Sequence, residues 1–295
     1  MQHVMKDAST PQAPLTRLFP LPAAQTGLAG LYLEHQLHTR GTVERPFVYS
    51  NFITSLDGRI AIAAADRDTR EVPRSITNLR DWRLYQELAG QADILITSGR
   101  YMRQSANGEA QDTLPVGSQP AYADIRHWRL DQGLSAQPDI AIMSGSLDIP
   151  LDSLAPYRPR NIIVITGNAA DPVRARQLED AGVRLMYAGD GVRVDGEEMI
   201  KQLAMTGYRS IYAIAGPGVF HTLVASGMLD RLYLTFACQL LGGKDFDTLL
   251  YGDALLPAAS LSMTALHHDP TEPDGGQLFG VFEPAPVSQT APRTA

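Results

Sequence analysis

Three short segments bring together residues able to hold a charged ligand. Ala215-Gly216-Pro217-Gly218-Val219 joins an apolar run to a stretch with helical spacing. Glycines at such a turn let the backbone approach a phosphate, and the following helix start offers unpaired N–H groups. The same junction also serves as a plain turn. A dinucleotide fingerprint would need a third glycine where His221 stands, an early place in the chain and an acid about 20 residues on; none of these is met. The second segment is Thr97-Ser98-Gly99-Arg100-Tyr101-Met102-Arg103. Its arginines could pair with phosphate oxygens while Thr97 or Ser98 donates, or it could be a solvated basic turn. The third is Ser55-Leu56-Asp57-Gly58, where Asp57 could be a substrate ligand, a proton source or simply the former of an Asp-Gly turn.

Other chemistries lack their residues. There is no Gly-x-Ser-x-Gly elbow, no His-Glu-x-x-His and no Gly-x-x-x-x-Gly-Lys-Ser/Thr loop. His267 and His268 are adjacent and would point to opposite faces of a strand, which disfavours a shared metal, and no metal site is expected. One cysteine, Cys238, excludes a disulfide framework and a cysteine-rich cluster. Lys and Arg number 25 against 32 Asp and Glu, a net charge of −7 that argues against a nucleic-acid surface. No run approaches about 18 apolar residues and the first residues lack a leader's apolar core, so the chain is read as cytoplasmic, with no membrane partner.

The elements that must carry these segments alternate. Phe47 to Ile53 and Arg59 to Ala63 read as strands flanking the Asp-Gly turn. Thr77-Asn78 supplies N-cap candidates for a helix with Trp82, Tyr85, Leu88 and Ala89 on one face, Trp82 and Tyr85 being read as core, and Gly90 ends it. Ile94 to Thr97, Ile140 to Met143, Asn161 to Ile165, Val183 to Tyr187, Ile211 to Ala215 and Arg231 to Ala237 are short apolar strands. Between them, Pro172 to Ala181 and the stretch after Asp195 read as helices. Leu261 to His267 and Gln277 to Glu283 pair antiparallel through Pro273-Asp274-Gly275-Gly276. Gln104 to Ala136 is an irregular excursion of the kind that forms lids. The expected class is α/β, a three-layer α/β/α arrangement on a central mixed, mostly parallel sheet. The expected organisation is a tail and packing arm over 1–44, one domain over 45–284, and a disordered tail over 285–295.

Arg45-Pro46-Phe47-Val48, Ser55-Leu56-Asp57-Gly58-Arg59-Ile60-Ala61, Ala92-Asp93-Ile94-Leu95-Ile96, Gly216-Pro217, Gly227-Met228-Leu229-Asp230 and Leu241-Gly242-Gly243 occur in an order that resembles the pyrimidine reductase family. That family is the reductase domain of the bifunctional riboflavin-biosynthesis deaminase and reductase. The resemblance implies a dihydrofolate-reductase-like fold, a homodimer, and NADPH as reductant of a small-molecule riboflavin precursor. On it, Thr97, Ser98, Gly99, Arg100, Thr166, Ala215, Gly216, Pro217, Gly218, Val219 and Phe220 would hold the cofactor. Asn51, Thr54 and Ile214 would border the substrate, with Ser55 and Asp57 at the reacting centre. Nothing like the deaminase's His-x-Glu with Pro-Cys-x-x-Cys is present. Two departures bear on the substrate: the family's usual Glu stands as Ile214, and its usual arginine as Ala89. Losing both implies an altered or unphosphorylated substrate. The rival readings are a non-catalytic nucleotide-binding module and a phosphosugar-binding protein.

Overall fold

The computed structural model describes residues 13–64, 69–110, 113–271 and 275–286. Most of the two expected tails and part of the Pro273 to Gly276 connection lie outside these residues. In chain order the elements are β1 (Leu15–Phe19), β2 (Ala24–Thr26), β3 (Phe47–Ser55), β4 (Ala61–Ala63), β5 (Arg70–Glu71), α1 (Leu79–Ala89), β6 (Ile94–Ser98) and α2 (Gly99–Ala106). There follow α3 (Ala123–Asp131), β7 (Asp139–Met143), β8 (Ile162–Thr166), α4 (Pro172–Asp180), β9 (Arg184–Tyr187), α5 (Gly196–Met205) and β10 (Ser210–Ala213). The chain closes with α6 (Pro217–Ala225), β11 (Arg231–Ala237), β12 (Phe246–Asp247), β13 (Leu261–Asp269) and β14 (Gln277–Pro284).

An 11-stranded sheet runs in the order β2-β1-β13-β14-β11-β3-β10-β6-β7-β8-β9. From β11 to β9 every pairing is parallel; β14 and the strands beyond it are antiparallel. This is the α/β class with a mixed, mostly parallel sheet and an antiparallel C-terminal hairpin that the alternation of elements implies. Capping sets the helix starts. Asn78 Oδ1 accepts from the Arg80 and Asp81 amides, Asp171 caps α4 ahead of Pro172, and Asp195 accepts from the Glu198 amide. Leu84, Leu88 and Ala89 of α1 are buried with Tyr49, Tyr212 and Tyr233 on one face of the sheet. Leu203, Val219 and Leu223 pack with Val48, Ile96 and Ile211 on the other. Each fully buried leucine contributes roughly 1.5–3 kcal/mol.

Several local expectations are corrected. The Asp57-Gly58 turn does not make a hairpin, because β4 leaves the main sheet to pair with β5 and β12 in a separate three-stranded sheet. Leu15 and Thr16, within the expected tail and packing arm, belong to β1, whose Thr16 pairs with His268 of β13. Trp82 is half-exposed, and Leu84 takes the core position. The Gln104 to Ala136 excursion packs rather than covering the site: Leu114, Val116 and Ile125 are buried. Its Arg129 donates to the Gly90 and Ala92 carbonyls beside the starting end of β6, away from the Ser98 end. No helix among the described residues is long and apolar enough to cross a membrane.

Candidate active site

The order β3-β10-β6 places β10, sixth in chain order of the seven parallel strands, between the first and second of them. In such sheets the crevice outside the carboxyl ends at the reversal is where ligands bind. Register fixes the three ends side by side: Ser50 pairs with Ala213, Ala213 with Ile96, and the Ile214 amide donates to Ile96 O. The Ser98-Gly99-Arg100 and Ala215-to-Val219 turns thus leave adjacent strands, about 4.8 Å apart.

Around the glycine turn the main chain is open. A Cβ added at Gly216 or Gly218 would meet no atom within 4 Å. Gly216 is the N-cap of α6 and offers no side chain to its first turn, while Pro217 at the first helical position needs no partner for its nitrogen. The Val219 and Phe220 amides turn to Gly216 O at 3.1 and 3.3 Å, and the Val219 side chain is core. Phe220 packs against Phe52 with centroids 4.9 Å apart and the rings tilted by 60°, and Ala215 is buried. Of the predicted turn residues, Gly216 and Gly218 form the open part, and Pro217 between them is buried.

The neighbouring turn opens α2, which periodicity did not reveal because Met102 is its one fully buried apolar side chain. Ser98 caps it by accepting from the Tyr101 amide, and Gly99 packs so closely that a Cβ there would meet Ser144 Oγ at 2.8 Å. Thr97 is buried in β6, and Arg100 is exposed, 3.5 Å from Asp247 of the small sheet. Farther along the edge, Thr166 ends β8 with Oγ1 buried and unpartnered among the described residues. An unpaired buried hydroxyl is costly unless a ligand supplies its partner. Beyond it opens a hollow of about 680 Å³ lined by Asn168, Asp190, Arg193 and Glu198 among others. From β10 to β8 this edge spans roughly 14 Å, three strand spacings, which suits an elongated ligand. The open glycines and the orphaned Thr166 hydroxyl fit the phosphate and hydroxyl groups of a dinucleotide.

On the other side of the crevice, Asp57 is the best-secured carboxylate in the region. It accepts from Ser55 Oγ, from Arg59 Nη1 at 2.5 Å, from the Gly242 amide at 2.8 Å and from the Leu241 amide at 3.2 Å. Those bonds, Ser55 first, hold it down to about 2, so it is ionised at neutral pH and is no proton source. Of the alternatives open at the sequence level, the geometry selects the turn-former. Gly58 follows with φ +79°, a conformation glycine adopts freely. Asp57 also ties the loop after β3 to the 241–242 segment, and Arg59 lies over the Phe246 ring, 4.4 Å from its centroid.

The residues of β3 divide between faces. Asn51 and Ser55 point toward α1 with Tyr212 and Ile214, whereas Thr54 lies on the α6 side and donates to Ser55 O. Asn51 and Thr54 therefore do not share a pocket. The α1 face carries a group that the sequence reading passed over. Asp81, in the first turn of α1, accepts from Thr235 Oγ1 of β11 at 2.6 Å, and burial pushes it up to about 6. Close by, Tyr212 Oη donates to Asn51 Oδ1, and Trp82 stacks on Tyr85, centroids 4.6 Å apart. The available signal was position: 81, 84, 85 and 88 fall on one helical stripe, and an acid within an apolar stripe calls for an explanation. His221 packs its ring on Gly252 and is a helix-surface residue. No grouping able to hold a metal ion occurs among the described residues.

The family described as the RibD C-terminal domain matches residues 46–274. No curated protein sequence matches the chain. Among solved structures, a pyrimidine reductase-like protein from Corynebacterium diphtheriae is 18% identical, with a TM-score of 0.62 over 83% of this chain and 94% of that one. Acinetobacter baumannii RibD is 16% identical, with a TM-score of 0.58 over 82% of this chain and 58% of that one. The Saccharomyces cerevisiae riboflavin biosynthesis reductase Rib7 is 13% identical, with a TM-score of 0.53 over 87% and 99%. At these identities the likeness speaks for the fold.

Proposed function

The chain belongs to the RibD C-terminal domain family, and from that premise we propose that it is an NADPH-dependent reductase of the pyrimidine reductase type, acting on a small heterocyclic substrate. The observation that carries the reading is the meeting of the β3, β10 and β6 carboxyl ends beside an open glycine turn at a helix start. Gly216, Pro217 and Gly218 hold the diphosphate, Arg100 exchanges Asp247 for a phosphate oxygen, and Thr166 supplies its free hydroxyl. NADPH, when bound, supplies the hydride. Ser55 and Asp57 keep in place the loop that borders the reacting centre, and Asn51, Tyr212 and Ile214 line the substrate side. Trp82 and Tyr85 form a flat aromatic wall that helps exclude water. Orientation and dryness are the chain's main contributions, so a sparse set of acid and base groups suffices.

The working unit in this reading is one domain over 45–284 with the preceding arm packed on it, in a cytoplasmic homodimer. The arm's Leu28, Leu31, Tyr32 and Leu37 are buried, consistent with that assignment. Titration of NADPH fluorescence tests the proposal: saturable binding, abolished by Gly218→Glu, is expected. Absence of binding, or indifference to the substitution, overturns it.

A further inference from the structure

The segment from Leu241 to Asp253 touches the loops at the carboxyl ends of β3, β6 and β10. The Leu241 and Gly242 amides donate to Asp57, after β3. Asp247 lies 3.5 Å from Arg100, after β6. The Tyr251 amide donates to Pro217 O at 3.4 Å, and Asp253 O is 2.7 Å from His221 Nε2, after β10. Of these contacts only the one with Arg100 joins two charged side chains, so it is the one that an arriving ion can replace.

Asp247 divides its carboxylate between two arginines. Oδ1 accepts from Arg70 Nη1 of β5 at 2.7 Å, and Oδ2 faces Arg100 Nη1 at 3.5 Å. The first is a full hydrogen bond, whereas the second is stretched and its arginine side chain is 49% exposed. Arg70 is held further by Asp245, Nε to Oδ1 at 2.6 Å. The main chain pins the acid's strand as well, since the Ile60 and Ala63 amides donate to Asp247 O and Asp245 O. Asp247 thus stays with Arg70 when Arg100 turns to a ligand. Arg100 is the second residue of α2, whose first turn has no acid of its own, and a helix start favours an anion. The small sheet supplies that anion from a distant part of the chain.

We infer that Asp247 is an internal rival for the coenzyme's phosphate at Arg100 and, through that rivalry, a specificity-determining residue. A phosphate, with its greater charge and three acceptor oxygens, offsets the loss of the carboxylate. A hydroxyl or amide does not, so a ligand that needs Arg100 but brings no phosphate to it is refused. The inference deepens the reductase reading and rests on it for the identity of the phosphate carrier.

NADPH titration by fluorescence at low ionic strength tests it in variants of opposite expected sign. Asp247→Asn keeps the size of the side chain and should tighten NADPH about threefold to fivefold, the range of an exposed ion pair removed from the free protein. Arg70→Gln should weaken NADPH at least about twofold, because it releases both oxygens of Asp247 to Arg100. A merely structural part for the small sheet would move both variants the same way, since each loses the same 2.7 Å bond. In an Arg100→Gln background the gain from Asp247→Asn should fall below about 1.5-fold. Three results overturn the inference while leaving the cofactor reading intact: an unchanged or weaker Kd in Asp247→Asn, shifts of the same sign in both variants, or a gain that persists in full without Arg100. NADPH binding in neither the parent nor Asp247→Asn defeats both.

Discussion

Gly218→Glu separates ligand binding from stability, because the two should move in opposite directions. Gly218 is the second residue of α6, and a Cβ there meets nothing within 4 Å. Replacing glycine in a helix gains about 0.5–1 kcal/mol of propensity. An anion in the first turn adds about 0.3–1 kcal/mol through the helix dipole. The variant should thus be more stable by about 1 kcal/mol, raising Tm by about 2–4 °C at this chain length. For a diphosphate seated at the turn, the new charge would stand about 6 Å away. At an effective dielectric of about 20, repulsion is about 2.8 kcal/mol per unit charge, at least about 100-fold in Kd. NADPH titration and a thermal melt on the same samples read both terms, and Gly218→Ala should leave Kd within about threefold. An unchanged Kd in the glutamate variant would show that no phosphate sits there. A fall in Tm would show that the glycine is structural, so that lost binding meant lost fold.

Asp81→Asn should also stabilise the protein above neutral pH. The carboxyl is raised from 3.8 to about 6, so the folded state binds its proton more tightly, and stability is lost as pH rises through that window. The cost at pH 7 is up to about 3 kcal/mol, and urea melts at about pH 4 and pH 8 should show the variant's advantage only at the higher value. Asn78→Ala removes the cap of α1 and leaves the buried Gln277 Oε1, which accepts from Asn78 Nδ2 at 2.8 Å, without a partner, while Gln277 Nε2 loses Asn78 Oδ1 but keeps Asp269. A loss of about 2–3 kcal/mol in urea melts is expected. His35 is lowered to about 4, chiefly by burial, with Arg231 close by and Nδ1 2.7 Å from Tyr233 Oη. The unfolded chain takes up that proton first, so stability falls as pH drops from about 6.5 to about 4, by up to about 3 kcal/mol. His35→Phe should flatten that slope in pH-dependent melts. Asp57→Asn should abolish NADPH oxidation while the fold persists at neutral pH. The contribution of Asp57 is present above its ordinary value near 3.8 and is lost as pH falls toward 2, so acid melts of parent and variant should converge there.

Local signals read well where one residue's chemistry decides the conformation. Asn78, Asp195 and Pro172 start helices because each satisfies or removes first-turn N–H groups wherever the chain places it. The buried parallel strands are legible because both faces are covered and their residues are apolar throughout. Strand partners were less accessible. Asp57-Gly58 makes the turn its residues promise, yet β4 pairs with β5 and β12, a choice made by contacts distant in sequence. β1 was hidden by position, since only Leu15 of its residues is buried and a half-wet edge strand carries little periodicity. At the site, the glycine turn was visible from composition. The division of Asn51 and Thr54 between faces follows from the alternation of a strand. Asp81 was overlooked because an acid in a helix's first turn has a ready electrostatic explanation, and only its place on the stripe sets it apart.

β1 finds its long partner in β13, so the earliest-made strand described here must wait for one of the last. Until that late hairpin has emerged from the ribosome, β1 has only the short β2 on one side and its inner edge has no companion. Such sequence-distant pairing is slow and leaves an adhesive edge bare during synthesis. Nascent chains halted before Leu261 should therefore be the ones that chaperones hold and proteases cut near the amino terminus, while full-length chains escape both.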